Sequence, residues 1–308
     1  MIEHKYVYGP VPSRRMGLSL GISPIPKKTC NYSCVYCQLG RTDKMTNRRQ
    51  MFFDSEAILS EFDQSIASIS KYDVVTLVGE GEPTLYLGLY QLIKGIKERT
   101  DKPVALITNG ALLYDEDVVK ALNLADIVLP TFDATDESLF SAINRPHGSL
   151  TFELVNEGLK KFSHQYPGEL WLEMMFLEGI NDSEENLMKY REMLKEISYE
   201  RLYLNTPVRP PAEDHIKPVS SDFMAHASEV LGGISIDLLS SVGFFSHIKD
   251  DYQAILSIIK RHPMHQFEIE SFLETRKASN IPTLMKRLGD DPEINSIDYK
   301  GYTTYRLK

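Results

Sequence analysis

Apolar runs and amphipathic helices alternate along this chain, and that alternation limits its architecture more than any other feature. Leu18–Ser23, Val74–Val78, Val104–Thr108, Ile127–Thr131, Leu170–Leu177 and Arg201–Asn205 read as strands. Val74–Val78 is mostly β-branched and unbroken, as in a strand buried on both faces. Glu173 interrupts the apolar reading of the fifth run. Asp54 or Ser55 opens a helix whose Ile58, Leu59, Phe62, Ile66 and Ile69 recur every three or four residues. Further helices carry Leu89, Leu92, Ile93 and Ile96, cover Glu116–Leu122 and Thr151–Phe162, and follow Ser183 as a cap. Six strand–helix units predict an α/β fold of parallel strands joined by right-handed crossovers. A doubly wound sheet and a barrel-like sheet look alike at this level. In both, ligands gather at the carboxyl ends of the strands.

The pattern changes at about Asp251. Tyr252, Ile255, Ile258 and Ile259 form one helical face, and Phe267–Leu273 and Ile281–Leu288 read as two more helices. Asn280 can cap the last, with Pro282 tolerated in its first turn. Ile294–Tyr299 and Tyr302–Leu307 then read as strands joined by Lys300 and Gly301. Three helices followed by a hairpin predict a small C-terminal winged-helix-like domain. The expected division is 1–246 and 251–308, with the linker near His247–Asp250. A length of 308 residues fits about two domains.

Apolar residues at 42% and charged residues at 25% exclude wholesale disorder. A net charge of −9 excludes a generic nucleic-acid coat protein, which needs a basic face. The apolar stretch Val230–Phe245 is broken by Asp237, so no membrane span is expected. The start, Met1-Ile2-Glu3-His4-Lys5, lacks the apolar stretch of a secretory signal, and a cytoplasmic protein is expected.

The only cysteines are Cys30, Cys34 and Cys37. An odd count excludes a complete intramolecular disulfide framework, and clustering in a cytoplasmic chain points to metal or redox chemistry. Three readings stand: small buried hydrophobes, a structural zinc site, or an iron–sulfur cluster. Zinc takes four ligands, commonly Cys and His at short spacing, and no histidine lies between Ser33 and Pro146. Three thiolates suit a 4Fe–4S cube with one iron left open. Tyr36, just before the last cysteine, can shield such a cluster and pack beside a ligand.

The run Cys30-Asn31-Tyr32-Ser33-Cys34-Val35-Tyr36-Cys37 resembles the signature of the radical S-adenosylmethionine superfamily, Cys-x3-Cys-x-aromatic-Cys. Gly9–Arg15 and Gln38–Thr42 resemble the branch related to the tRNA wybutosine-synthesis radical enzyme. The resemblance spans about residues 5–210. It implies a partial (β/α)6 barrel, a 4Fe–4S cluster on the three cysteines, and S-adenosylmethionine chelating the open iron. It also implies reductive cleavage to a 5′-deoxyadenosyl radical, hydrogen abstraction from a substrate, and a reductant such as flavodoxin or ferredoxin. With no further cysteine, a second Cys-ligated cluster within the chain is not expected.

Gly79-Glu80-Gly81-Glu82-Pro83-Thr84 follows the second strand. Its glycines allow close backbone approach to a ligand, and Glu82 could accept from an ammonium. Gly81, Glu82 and Pro83 resemble the family's Gly-Gly-Glu-Pro segment, which holds the methionyl amino group. Glu80 stands where that segment usually has glycine, which leaves its role open. Thr108-Asn109-Gly110 is by itself a turn, and the resemblance makes Thr108 and Asn109 site-lining residues. Asp133, just past the fourth strand, suits either ribose hydroxyls or a helix cap. Gly179-Ile180-Asn181-Asp182 resembles the family's adenine-side segment, and Asn205-Thr206-Pro207 ends the sixth strand.

Between Arg14 and Arg49 lie Arg14, Arg15, Lys27, Lys28, Arg41, Lys44, Arg48 and Arg49, against Asp43 alone. A basic rim attracts anions, although part of it can serve the cofactor's own carboxylate. The substrate stays open among an anion, an RNA and a peptide. Residues 251–308 carry nine basic and eight acidic residues, a net of +1, and Lys286 and Arg287 run into Asp290 and Asp291. That is a poor footprint for DNA. The alternative function is an iron–sulfur sensor with a nucleic-acid-binding winged helix, which has no need of six β/α units.

Overall fold

Strand β1 (Val7–Ser13) is the element that the apolar pattern did not reveal. It runs antiparallel to β2 (Gly17–Ile22), with a bulge between Tyr8 and Val11. Gly9 makes that bulge possible at φ +97°, where a Cβ would lie 2.7 Å from the Val11 nitrogen. Pro10 and Pro12 break the alternating pattern by which a strand is recognised, and they are tolerated because β1 is an edge. The structure, a computed structural model, describes residues 5–236, 244–246, 248–299 and 301–308. The expected linker residue His247, the turn residue Lys300 and Asp237 of the long apolar stretch lie outside these.

After β2 comes a short parallel pair, β3 (Thr29–Cys30) and β4 (Lys44–Met45), which closes the cysteine loop. The alternation then follows: α1 (Ser55–Ser68), β5 (Val74–Leu77), α2 (Leu89–Lys97), β6 (Val104–Thr108), α3 (Glu116–Leu122) and β7 (Ile127–Pro130). It continues with α4 (Glu137–Ile143), α5 (Phe152–Gln165), β8 (Glu169–Met175), α6 (Glu184–Leu194), β9 (Arg201–Asn205), α7 (Ser221–Leu231) and β10 (Ile234–Ser235). Among the described residues the main sheet has the order β1-β2-β5-β6-β7-β8-β9-β10, and all its pairings after β1–β2 are parallel. Helix α4 escaped the sequence pattern because only Phe140 and Ile143 of its seven residues are buried.

Local signals place the helices. Asp54 accepts from the Glu56 amide at the start of α1, Ser183 from Asn186 at α6, and Thr151 from Leu154 at α5. Every residue of β5 is buried, as its continuous apolar run requires. Leu89, Leu92, Ile93 and Ile96 of α2 are wholly buried against the sheet. Ser19 of β2, Ile107 of β6, Glu173 of β8 and Ile236 beyond β10 line one cavity, so the sheet curves around it.

The last segment runs α8 (Asp251–Ile259), β11 (Met264–His265), α9 (Gln266–Thr275), α10 (Ile281–Asp290), β12 (Ile294–Tyr299) and β13 (Tyr302–Leu307). Its sheet has the order β11-β13-β12. Ile255, Ile259, Phe272, Leu273 and Leu288 form a core that Val11 of β1 enters. The segment thus covers the edge strand of the main sheet, an edge that would otherwise invite intermolecular pairing. No helix among the described residues is long and apolar enough to cross a membrane.

Ile93→Ala should lower stability by about 2–5 kcal/mol in urea denaturation, because Ile93 is wholly buried. Leu154→Ala, at a side chain 38% exposed, should stay within about 0.5 kcal/mol of the parent.

Candidate active site

The cysteine loop has little regular structure and is held by contacts with its neighbours. Lys28 donates its amide to the Glu80 carbonyl at 2.5 Å, and Glu82 donates its amide to the Thr29 carbonyl at 3.1 Å. A Cβ on Gly81 would lie 1.8 Å from the Thr29 oxygen, so only glycine permits the approach. What comes close to Gly81 is thus the cysteine loop's own backbone. Inside the loop, Cys37 N–H donates to the Cys34 carbonyl at 3.1 Å, and the Thr42 hydroxyl to the Tyr32 carbonyl at 2.6 Å. Glu213 grips the loop's far end, accepting from Arg41 Nε and Nη2 at 2.8 and 2.7 Å and also from Arg145. These two guanidiniums hold its carboxyl down at about 2.

Cys30, Cys34 and Cys37 all line a cavity of about 410 Å³. Their surroundings fit an iron–sulfur cluster. Cys30 Sγ accepts from the Tyr32 amide at 3.4 Å and from Asn109 Nδ2 at 3.7 Å, and Cys34 Sγ from Asn144 Nδ2 at 3.6 Å. Donors aimed at sulfur are what cluster thiolates receive. Burial raises all three thiols above their ordinary range, Cys30 to about 12, so a thiolate here needs a cationic metal beside it. Among the described residues no three His, Cys, Asp or Glu side chains converge on one ion. A cube that gives each sulfur its own iron corner asks for a wider spread than a single zinc ion does.

Tyr36 and Gly81 share the cavity with the cysteines, whereas Glu82, Pro83, Thr108, Asn109, Asp133 and Asn181 do not line it. Glu82 is held by donors of the chain itself. Its Oε1 accepts from Thr84 N–H at 3.0 Å, Thr84 Oγ1 at 2.6 Å and Thr108 Oγ1 at 2.6 Å, and its Oε2 from Asn109 N–H at 2.7 Å. This carboxylate is only 2% exposed. It caps the short turn Pro83–Leu85 and ties it to the end of β6. Burial raises its pKa, and the four donors counter that rise.

Asp133 is likewise held by donors of the chain. Its Oδ2 accepts from Tyr36 Oη at 2.5 Å and Asn144 Nδ2 at 2.8 Å, and its Oδ1 from the Met175 amide at 2.9 Å. It therefore links the cysteine loop, the end of α4 and the end of β8. Asn181 holds its own turn: Nδ2 donates to the Met175 carbonyl at 2.9 Å, and Oδ1 accepts from Leu177 N–H at 2.8 Å. The residue as a whole is buried. Asn109 stays near the cysteines through Cys30 and through Asn31 Oδ1 at 2.7 Å.

The residues that sequence reasoning missed lie at the other end of the cavity: Tyr8, Glu173, Arg209, Arg261 and His262. Glu173 had a signal, as the one acid in an apolar strand, and it pairs across the cavity with Arg15. Arg261 and His262 had none, because they follow α8 in a segment expected to stand apart. Arg261 Nε lies 3.4 Å from Glu80 Oε2, both side chains being nearly inaccessible. Glu80, the departure from the family pattern, thus meets the C-terminal segment.

Two predictions follow from the buried carboxylates. Glu82→Gln turns an acceptor into a donor among donors, and should cost about 1–3 kcal/mol in anaerobic denaturation, with reduced iron retention as the second readout. Burial pushes Asp133 from 3.8 up to about 6. The native state then binds the extra proton, so this group's contribution is complete below its unfolded pKa and is lost as pH rises through 6. Asp133→Asn should flatten that fall in stability between pH 4 and 7.

Comparison with known proteins agrees with this geometry. The family model described as the Radical SAM superfamily matches residues 25–191. A UPF0026 protein of Methanocaldococcus jannaschii is 37% identical over 97% of this chain and 94% of its own. Among solved structures, TYW1 with a lysine-pyruvate adduct bound superposes with a TM-score of 0.54, at 19% identity, over 70% of this chain and 74% of its own. The structure of anSMEcpe with bound AdoMet gives 0.52 at 19% identity, over 70% and 57%.

Proposed function

Because this chain belongs to the radical SAM superfamily and is an enzyme of it, we propose that Cys30, Cys34 and Cys37 hold a 4Fe–4S cluster beside S-adenosylmethionine in the 410 Å³ cavity. The observation that carries this reading is three cysteines on one pinned loop, facing one cavity, with N–H donors on two of the sulfurs. When bound, the cluster and S-adenosylmethionine supply reductive cleavage of the sulfonium and, from it, abstraction of a hydrogen atom from a substrate.

The chain's own residues position and enclose. Gly81 and Glu82 hold the loop at a set distance from β5 and β6. Tyr36, fixed by Asp133, offers an aromatic wall beside the sulfurs. Residues 251–308, read as a second domain of winged-helix type after the 1–246 core, close the cavity with Arg261 and His262 and narrow the access of water. Free thiols suit a reducing cytoplasm, and an electron donor such as flavodoxin or ferredoxin fits the chemistry.

The sensor alternative loses support at α10. Lys286 is paired with Asp290 at 2.7 Å, and the Arg287 guanidinium stacks 3.7 Å from the Tyr252 ring, so the two basic side chains of this helix form no uncompensated basic patch. Protein purified and reconstituted anaerobically, given dithionite and S-adenosylmethionine, should release 5′-deoxyadenosine. Cys34→Ala should release none. An intact cluster without product in the parent protein, alongside tight DNA binding, would favour the sensor.

A further inference from the structure

The end of the cavity away from the cysteines is strongly basic and only partly neutralised. Arg14 comes from the β1–β2 turn, Arg209 from the segment after β9, and Arg261 and His262 from the end of α8. Arg261 meets Glu80, and Arg209 meets Glu268 at 3.2 Å. Arg14 has no ion pair or hydrogen bond among the described residues, yet its charge bears on both Arg209 and His262. An unpaired guanidinium beside the Arg209–Glu268 pair leaves positive charge uncompensated in a low-dielectric site until an anion arrives. Arg forks match phosphate oxygens in pairs.

His262 adds a neutral donor. Its Nε2 lies 2.8 Å from Arg209 Nη2, and because a guanidinium can only donate, Nε2 accepts. The ring proton then sits on Nδ1. Burial and the two arginines hold the imidazole well below its ordinary pKa, so it stays neutral.

A second observation stands in the same cavity. Glu80 is 4% exposed, and its Oε1 is buried without a hydrogen-bond donor, although Arg261 sits beside the other oxygen. A buried acceptor left unmade is costly. A ligand that brings a hydroxyl or amine hydrogen satisfies it.

We propose that this end of the cavity binds the substrate as a phosphorylated small molecule, its phosphate on Arg14, Arg209 and His262 and its hydroxyl or amine on Glu80. This rests on the cofactor reading above only in calling the ligand a substrate. The C-terminal segment is then a wall of the substrate site.

The test is equilibrium binding of inorganic phosphate and glycerol 3-phosphate to the full chain, reconstituted anaerobically, with and without S-adenosylmethionine. Both probes should bind with Kd at or below about 1 mM, glycerol 3-phosphate the more tightly. Arg14→Ala should weaken both by about tenfold or more. Because that side chain makes no hydrogen bond or ion pair among the described residues, an unchanged circular dichroism spectrum is expected, with Arg209→Lys as the second variant. Glu80→Gln should erase the difference between the probes. No saturable binding, or equal binding in Arg14→Ala, overturns the proposal. So does displacement of the probes by S-adenosylmethionine, which would assign the arginines to the cofactor's carboxylate. Phosphate binding without 5′-deoxyadenosine production counts against the cofactor reading alone. Product without phosphate binding counts against the substrate reading alone.

Discussion

A carboxylate removed from water sets the terms at the centre of this molecule. Glu82 lies at the carboxyl end of the sheet, where an ionised group is costly unless donors replace its solvent. Thr84, Thr108 and the Asn109 amide supply them, and together they hold the turn after β5 against the end of β6. The same turn carries Gly81, whose missing side chain lets the Thr29 carbonyl approach. The cysteine loop, with almost no ladder of its own, is thereby held at a fixed distance from the sheet. Disturbing Glu82 therefore moves the sulfurs, although its carboxylate contacts none of them.

The cavity depends on a second contact, between distant parts of the chain. The last segment packs over β1, covers that edge and sends Arg261 and His262 into the space that the curved sheet encloses. Arg261 stacks over the Tyr8 ring at 4.8 Å and meets Glu80 in a place nearly closed to water. Buried ion pairs of this sort seldom add much stability over apolar packing, but they penalise misregister heavily. The pair thus fixes how the segment sits on the mouth of the cavity. The pair depends on Glu80, which stands where the family's Gly-Gly-Glu-Pro segment usually has glycine.

The cysteine spacing, the six β/α units and the helix caps at Asp54, Thr151 and Ser183 were legible because each is local. Their signals lie within one turn, one strand or one loop. β1 was hidden by its prolines and its bulge, and α4 by its brevity. Glu82, Asp133 and Asn181 stood out in the sequence as cofactor residues, and the fold shows each of them hydrogen-bonded within the chain. A motif says that a polar group is needed at a position; it does not say whether that group faces the ligand or supports the loop that does. Thr108 and Asn109 illustrate the point: both bond to Glu82, and Asn109 also donates its side-chain amide to Cys30 Sγ.

The sequence by itself determined the parallel α/β frame, the three-thiol loop and its family, since these depend on periodicity and on neighbours a few residues apart. Only the tertiary structure decided what closes the cavity. Arg14, Glu80, Arg209 and His262 are separated by up to 248 residues, and no local pattern encodes their meeting. The curvature of the sheet and the burial of Val11 in the last segment's core bring them together. Their charge matters because that packing excludes water, and it becomes visible only once the chain has folded.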